Sequence, residues 1–158
     1  MDVKYCGLPM IVVEKIVTAP HDLFPAERDS VPLDWEARQK CRQRLKTMAG
    51  REIGLALPTG TVLSPGDVLY RDDEVEIIIE GVDEKVIVMH LQTRKEFGLA
   101  CYQIGNLHRP IGFDGDAILI PYEPVLEKQF ERLGFKYTLE QRIFTQASRQ
   151  TLSHSHVR

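Results

Sequence analysis

The chain has 158 residues, 43% of them apolar, which is enough for one medium domain or two small domains with modest cores. Its 20 basic and 23 acidic side chains give a formal net charge of −3. This balance leaves no basic excess to neutralise a phosphate backbone, so it excludes a typical nucleic-acid-binding protein.

The cysteines and the hydropathy pattern indicate the compartment. Cys6, Cys41 and Cys101 are odd in number and widely spaced, with no Cys-x-x-Cys pair, so neither a disulfide framework nor a cysteine zinc knuckle is predicted. The N-terminus lacks a signal-peptide pattern, and no segment approaches the roughly 20 apolar residues of a membrane span. We expect a soluble cytoplasmic protein with reduced thiols and no membrane partner.

The first part of the chain predicts a strand, a loop and a short helix. Residues 10–17 are apolar and β-branched and predict a strand. Residues 19–31 contain prolines and polar turn-forming residues, which predict a loop. Asp34 is a candidate N-cap for a helical turn over residues 35–40.

A hairpin and two further strands are expected next. Residues 34–48 also fit one helical face, but we favour a hairpin over residues 42–57 that turns at Ala49-Gly50. Residues 68–70 and 75–80 are apolar runs that follow turn residues, and they predict strands. Many short strands with Gly and Pro turns indicate a small β-barrel or sandwich-like domain, which we place at residues 1–82.

The pattern changes in the second half of the chain. Residues 84–91 predict a strand, and Thr93 then has Glu96 three residues on, which is the spacing of a capping box at a helix start. Apolar residues continue at steps of three and four along one predicted core face, namely Phe97, Ala100, Cys101, Ile104 and Leu107 or His108. Gly105-Asn106 is a C-terminal signal with Pro110 just beyond it, so we predict that the helix ends there.

The remaining elements complete an α+β protein. Asp114-Gly115-Asp116 predicts a hairpin turn, residues 121–134 a second helix with Pro124 in its first turn, and residues 135–144 a last strand. The order β-α-β-β-α-β is that of a ferredoxin-like domain, which we place at residues 83–145. Residues 146–158 are polar and predict a flexible, disordered tail.

The histidines are the candidate functional residues. Neither Gly-x-Ser-x-Gly nor His-Glu-x-x-His occurs in the sequence, and we predict no catalytic residue and no enzymatic activity. His108 follows the amphipathic helix, where it is either a partner of the helix dipole or a metal ligand. His154 and His156 in the tail either chelate one ion or are incidental. Histidine donors without cysteine suit nickel, copper or zinc better than calcium or magnesium.

A family resemblance bears on these alternatives. The run Ile104-Gly105-Asn106-Leu107-His108 resembles the Gly-Asn-(Arg)-His motif of the UreE family of urease accessory proteins. Runs of the first half resemble that family's first domain: Gly54-Leu55-Ala56-Leu57-Pro58, Gly60 and Gly66-Asp67-Val68-Leu69. The resemblance keeps a consistent order over roughly residues 10–145.

The resemblance implies a homodimeric nickel metallochaperone with a partner- or peptide-binding first domain. His108 of each subunit would bind Ni(II) at the dimer interface, and His154 and His156 would add ligands. The cargo would go to the urease apoprotein and its accessory proteins, including the accessory GTPase. Where some members have a second histidine pair, this chain has Tyr122 and Pro124, so that auxiliary site is expected to be absent.

Two other functions remain open on the residues alone. One is a general buffering protein for zinc, copper or nickel, because nickel does not outrank copper in intrinsic affinity. The other is a non-metal, peptide-binding regulatory module in which His108 only caps a helix.

Overall fold

The structure, a computed structural model, describes residues 9–18 and 27–147. Contacts divide the chain into two compact units, Met1–Val82 and Asp83–Arg158. The architecture is α+β, with three sheets and three helices in the described part. None of these helices is long and apolar enough to cross a membrane.

The first unit has two three-stranded sheets and one short helix among its described residues. In chain order the elements are β1 (Ile11–Val13), β2 (Glu27–Leu33), α1 (Trp35–Arg38), β3 (Arg42–Lys46), β4 (Glu52–Ala56), β5 (Val68–Arg71) and β6 (Val75–Gly81). The sheets have the orders β1-β4-β3 and β2-β6-β5, and the described strands close no barrel. Both sheets contribute side chains to one core, among them Val13, Ile53 and Ile77.

Local signals in the first unit are confirmed. Asp34 caps α1, because its carboxylate accepts a hydrogen bond of 2.7 Å from the Ala37 amide. The hairpin joins β3 and β4 in antiparallel register, and Gly50 in its turn has a φ of 89°, which favours glycine.

Two predictions for the start of the chain are wrong in extent. Within residues 10–17 only Ile11–Val13 forms a strand. Residues 27–31, predicted as a loop, belong to β2, which pairs in parallel with β6. Pro32 lies in this strand because β2 is at a sheet edge, where a missing amide hydrogen need not break a ladder bond.

A buried carboxylate joins the two sheets of the first unit. Asp29 on β2 is 5% exposed and accepts hydrogen bonds from the Ser30 amide (2.9 Å), the Ala49 amide in the β3–β4 turn (3.0 Å) and Arg51 (2.7 Å). Burial alone would raise the pKa of Asp29, but these bonds and one with Thr47 outweigh it and hold the pKa below its ordinary value. The ionised form of Asp29 therefore stabilises the fold.

The second unit packs two helices against a four-stranded sheet. Its described elements are β7 (Glu84–His90), α2 (Arg94–Asn106), β8 (Gly112–Asp114), β9 (Ala117–Pro121), α3 (Pro124–Leu133) and β10 (Tyr137–Arg142). The element order is the predicted β-α-β-β-α-β, and the sheet order is β10-β7-β9-β8 with antiparallel pairs throughout. Buried side chains of both helices pack with those of β7 and β9, namely Ala100, Ile104, Leu126, Phe130, Ile87, Met89, Ile118 and Ile120.

The helix signals of the second unit are also confirmed. Thr93 and Glu96 form the predicted capping box, since the Glu96 amide donates to the Thr93 hydroxyl and the Thr93 amide donates to the Glu96 carboxylate, both at 3.1 Å. Gly134 ends α3 with a φ of 76°. These signals fix where α2 begins and where α3 ends on the sheet.

We predict that Asp29→Asn lowers the free energy of unfolding of the first unit by about 1–3 kcal/mol at neutral pH, because a neutral amide weakens the hydrogen bonds at this buried position while Arg51 keeps only its ion pair with Glu27. The folded-state pKa of Asp29 is depressed, so its contribution is present above the unfolded value of about 4 and is lost as pH falls further. Denaturant unfolding followed by fluorescence of Trp35, the single tryptophan, reports this unit. The gap between variant and wild type should shrink below about pH 4.

Glu80 on β6 is exposed, and Glu80→Gln serves as a control. It should change the free energy of unfolding by less than about 1 kcal/mol. A deficit in Asp29→Asn that stays constant between pH 7 and pH 3 would contradict the electrostatic explanation.

Candidate metal centre

The end of α2 is a backbone reversal centred on His108. The helix ends at Asn106, Leu107 is the C-cap, and His108 has a φ of 53°, in the left-handed region. The His108 amide donates to the Gly105 carbonyl at 3.0 Å, and the Arg109 amide donates to the Ile104 carbonyl at 3.3 Å. This is the Schellman pattern, in which the left-handed position is usually glycine.

The predicted end of α2 is confirmed. Gly105 and Asn106, expected to end the helix, are its last two residues, and the chain reverses two residues later, at His108. A non-glycine residue in this conformation costs on the order of 1–2 kcal/mol because its Cβ approaches the following carbonyl group. Among the described residues, His108 is the only non-glycine residue with a positive φ.

Neighbouring contacts hold this turn in place. Ile104 in the last helical turn is 1% exposed, and Leu107 packs partly buried against the same core. The Arg109 guanidinium lies 2.6 Å from a carboxylate oxygen of Glu123, at the start of α3. The His108 side chain is exposed. An exposed imidazole on a fixed turn can serve as a ligand without rearrangement of the core.

Helix α2 also has an exposed apolar face. Leu99 is 48% exposed and Tyr102 is 64% exposed, and they lie three residues apart on one side of the helix. The sequence pattern assigned Ala100 and Ile104 to the core, which is confirmed, but it did not single out this second face. The sequence signal for this face is the pair of apolar residues at positions 99 and 102, which lie outside the buried side of the helix.

The described part of one protomer does not assemble a complete metal site. No group of three or more His, Cys, Asp or Glu side chains suited to a metal ion occurs within residues 9–18 and 27–147. His154 and His156 lie outside the described residues, so their distance from His108 is not defined. His90 is exposed at the end of β7, in a different part of the second unit.

Tyr122 and Pro124 have structural roles. The Tyr122 hydroxyl donates to Glu127 at 2.7 Å, and the Lys85 ammonium lies 3.6 Å from the centre of its ring. The hydrogen bond to Glu127 raises the pKa of Tyr122, so the phenol stays protonated at neutral pH and is a poor metal ligand. Pro124 is the first residue of α3, where proline is favoured.

We predict that His108→Gly raises the free energy of unfolding of the second unit by about 0.5–1 kcal/mol, because glycine adopts the left-handed conformation without strain. His108→Asn should be close to neutral, since asparagine tolerates this region better than most residues, and His108→Ala should be the least stable of the three. Chemical denaturation of the metal-free variants checks this order. A His108→Gly variant less stable than His108→Ala would contradict the assigned conformation.

Comparisons with known proteins cover both units. The model of the UreE urease accessory protein, N-terminal domain, matches residues 13–80, and that of the UreE urease accessory protein, C-terminal domain, matches residues 84–158. A urease accessory protein UreE of Synechococcus sp. is 39% identical over 126 residues, which are 80% of this chain and 83% of the relative.

Two further relatives agree with these matches. The urease accessory protein UreE of Deinococcus radiodurans is 35% identical over 136 residues, 86% of this chain and 88% of the relative. That of Staphylococcus carnosus is 33% identical over 150 residues, 92% of this chain and 99% of the relative. The chain therefore belongs to the UreE family of urease accessory proteins, which are accessory proteins and not enzymes.

Proposed function

We propose that this protein is a nickel metallochaperone that works as a cytoplasmic homodimer in urease maturation. It carries Ni(II) as cargo and delivers it to the urease apoprotein and its accessory proteins, including the accessory GTPase. The observation that carries the proposal is the exposed imidazole of His108, held on a left-handed turn at the end of α2, the helix that carries exposed Leu99 and Tyr102. The domain of residues 83–145, ferredoxin-like in its element order, bears this site, and residues 1–82 bind partners.

Symmetry explains how an incomplete site becomes a metal centre. A two-fold interface places the same surface of both subunits face to face, so each residue near the axis meets its own copy. Burial of Leu99 and Tyr102 in such an interface removes apolar surface from water. The proposal places the axis beside the end of α2, so that the two His108 side chains meet there. Dimerisation thereby supplies the second ligand that one protomer lacks.

The ligand set suits a cargo that must be released. Two imidazoles leave coordination positions open, unlike the four-ligand closed sites that stabilise folds. His154 and His156 would fill these positions from tethered tails at raised effective concentration. Imidazole is a good ligand for nickel, copper and zinc, so the donors alone do not select the metal. Family membership in urease maturation favours nickel over a general buffering role.

We predict that His108→Ala lowers nickel affinity at the tightest site by at least tenfold while the protein stays folded and dimeric. The reason is the loss of both symmetry-related imidazoles in one substitution. Isothermal titration with nickel, with zinc and copper in parallel, measures the effect, and light scattering measures the mass. His90→Ala is the matched control, since it removes an exposed histidine of the same unit outside the proposed site.

Unchanged nickel affinity in His108→Ala would contradict the assignment of His108 as a nickel ligand. A loss of the dimer in the same variant would instead show that His108 contributes to the interface itself. Absence of binding to all three metals in the wild type would favour the non-metal, peptide-binding module.

We predict that deletion of residues 151–158 lowers nickel affinity or stoichiometry but leaves the dimer and at least one weaker metal site intact. The deletion removes His154 and His156 and leaves His108 in place. Calorimetry on truncated and full-length protein is the measurement, and the double substitution of His154 and His156 by Ala should reproduce the deletion. Equal affinity and stoichiometry in both proteins would exclude the tail histidines as ligands.

A further inference from the structure

After the last strand the chain returns across the sheet. β10 ends at Arg142 on one edge of the sheet, whereas β8 is the opposite edge. Residues 143–147, here named the C-terminal strap, lead to a hydrogen bond of 2.7 Å from the Ala147 amide to the Ile111 carbonyl, immediately before β8. Three strand spacings amount to about 14 Å, and five extended residues span about 17 Å, so the strap is just long enough to cross.

Two residues hold the strap against the sheet. Phe144 is fully buried, at 0% exposure. Gly112 makes room for it, because a Cβ at that position would lie 3.1 Å from the Phe144 ring and 2.6 Å from the Thr145 carbonyl oxygen. Gly112 pairs with Leu119 on β9, and directly paired residues share a sheet face. The strap therefore lies on the Leu119 face of the sheet.

The helices cover the opposite face. Ile118 and Ile120 on β9 pack in the core with α2 and α3, and successive residues of a strand point to opposite faces, so Leu119 points away from the helices. The strap and the helices thus lie on different sides of the sheet. The strap does not compete with α2 or with its exposed face for space.

The end of the strap lies close to the His108 turn. Ile111 follows His108 by three residues, which is at most about 11 Å of chain. Beyond the anchored Ala147, His154 is seven residues further on, within a reach of about 25 Å. Without the strap, the last fixed residue would be Arg142 at the far edge of the sheet, twelve residues before His154.

We propose that Gly112, Phe144 and the Ala147 amide are positioning groups for metal binding, which fasten the base of the C-terminal tail beside His108 of the same protomer. This inference rests on the proposed function of His108 and of the tail histidines. The strap shortens the chain between the last fixed point and the tail ligands and moves that fixed point to the correct edge of the sheet. Both changes raise the effective concentration of the tail imidazoles at the site.

The size of the effect follows from chain statistics. Effective concentration falls with about the three-halves power of tether length, so an increase from seven to twelve residues lowers it about twofold. The last fixed residue would then be Arg142 at the far edge of the sheet, which lowers the effective concentration further. We expect release of the strap to weaken nickel binding by roughly two- to fivefold, which is less than the loss caused by deletion of the tail.

The test combines strap variants with tail deletion in the otherwise intact protein. Ala147→Pro removes the amide hydrogen that Ile111 accepts, and Ala147→Ser keeps that hydrogen and is its matched control. Gly112→Ala presses a methyl group against the strap from the opposite side of the contact. Each variant is titrated with nickel in the full-length chain and in the chain that lacks residues 151–158.

The expected result is a two- to fivefold loss of affinity for Ala147→Pro and Gly112→Ala in the full-length chain, none for Ala147→Ser, and none for any variant in the truncated chain. Hydrogen exchange in the metal-free protein should show a protected Ala147 amide in the wild type and faster exchange there in Gly112→Ala. Thermal unfolding confirms that each variant is folded.

Wild-type affinity in both strap variants, or an equal loss in full-length and truncated chains, would overturn the inference. His108→Ala in the same titrations separates this outcome from a failure of the proposed function. If His108→Ala loses nickel while the strap variants do not, only the positioning role is wrong. If His108→Ala binds as tightly as the wild type, the assignment of the metal site itself is wrong.

Discussion

The second unit depends on how α2 ends. The last turn of the helix is fixed from inside by buried Ile104, and the two Schellman hydrogen bonds reverse the chain within three residues. This reversal requires a left-handed residue, and the chain has His108 there, although glycine would be more stable. The free-energy cost of a non-glycine residue in this conformation is comparable to the contribution of one good hydrogen bond. The consequence is that the His108 imidazole lies on a fixed turn at the end of α2, the helix that also has an exposed apolar face.

Elements set by local chemistry could be predicted from the sequence. The capping box at Thr93, the cap at Asp34 and the left-handed stop at Gly134 each depend on residues within four positions of one another. The turn residues Ala49-Gly50 likewise identified the β3–β4 hairpin. The order of elements in the second unit followed from these local signals, because each connection between them is short.

Elements set by distant contacts could not be predicted in this way. β2 carries the composition of a loop, and it becomes a strand because β6, almost fifty residues later, pairs with it in parallel. Asp29 and Glu76 are buried carboxylates. Arg51, which pairs with Asp29, lies in the β3–β4 connection of the other sheet, and Arg71, which pairs with Glu76, lies on the neighbouring strand β5, so the local pattern does not reveal their burial. The requirement for Gly112 arises from Phe144 and Thr145, more than thirty residues away, and not from its own backbone conformation.

The proposed site, divided between two protomers, would also link metal binding to assembly. If nickel binds the dimer more tightly than the monomer, then by reciprocity the metal strengthens the dimer by the same factor. Burial of Leu99 and Tyr102 must then supply enough free energy for the dimer to form before nickel binds. Otherwise the two-subunit site would form only when nickel binds. The proposed role of the strap differs, because the strap would act within one protomer and its contribution would be independent of protein concentration. In the proposal, tail positioning and subunit association are therefore separable contributions to the same affinity, and only the second changes on dilution.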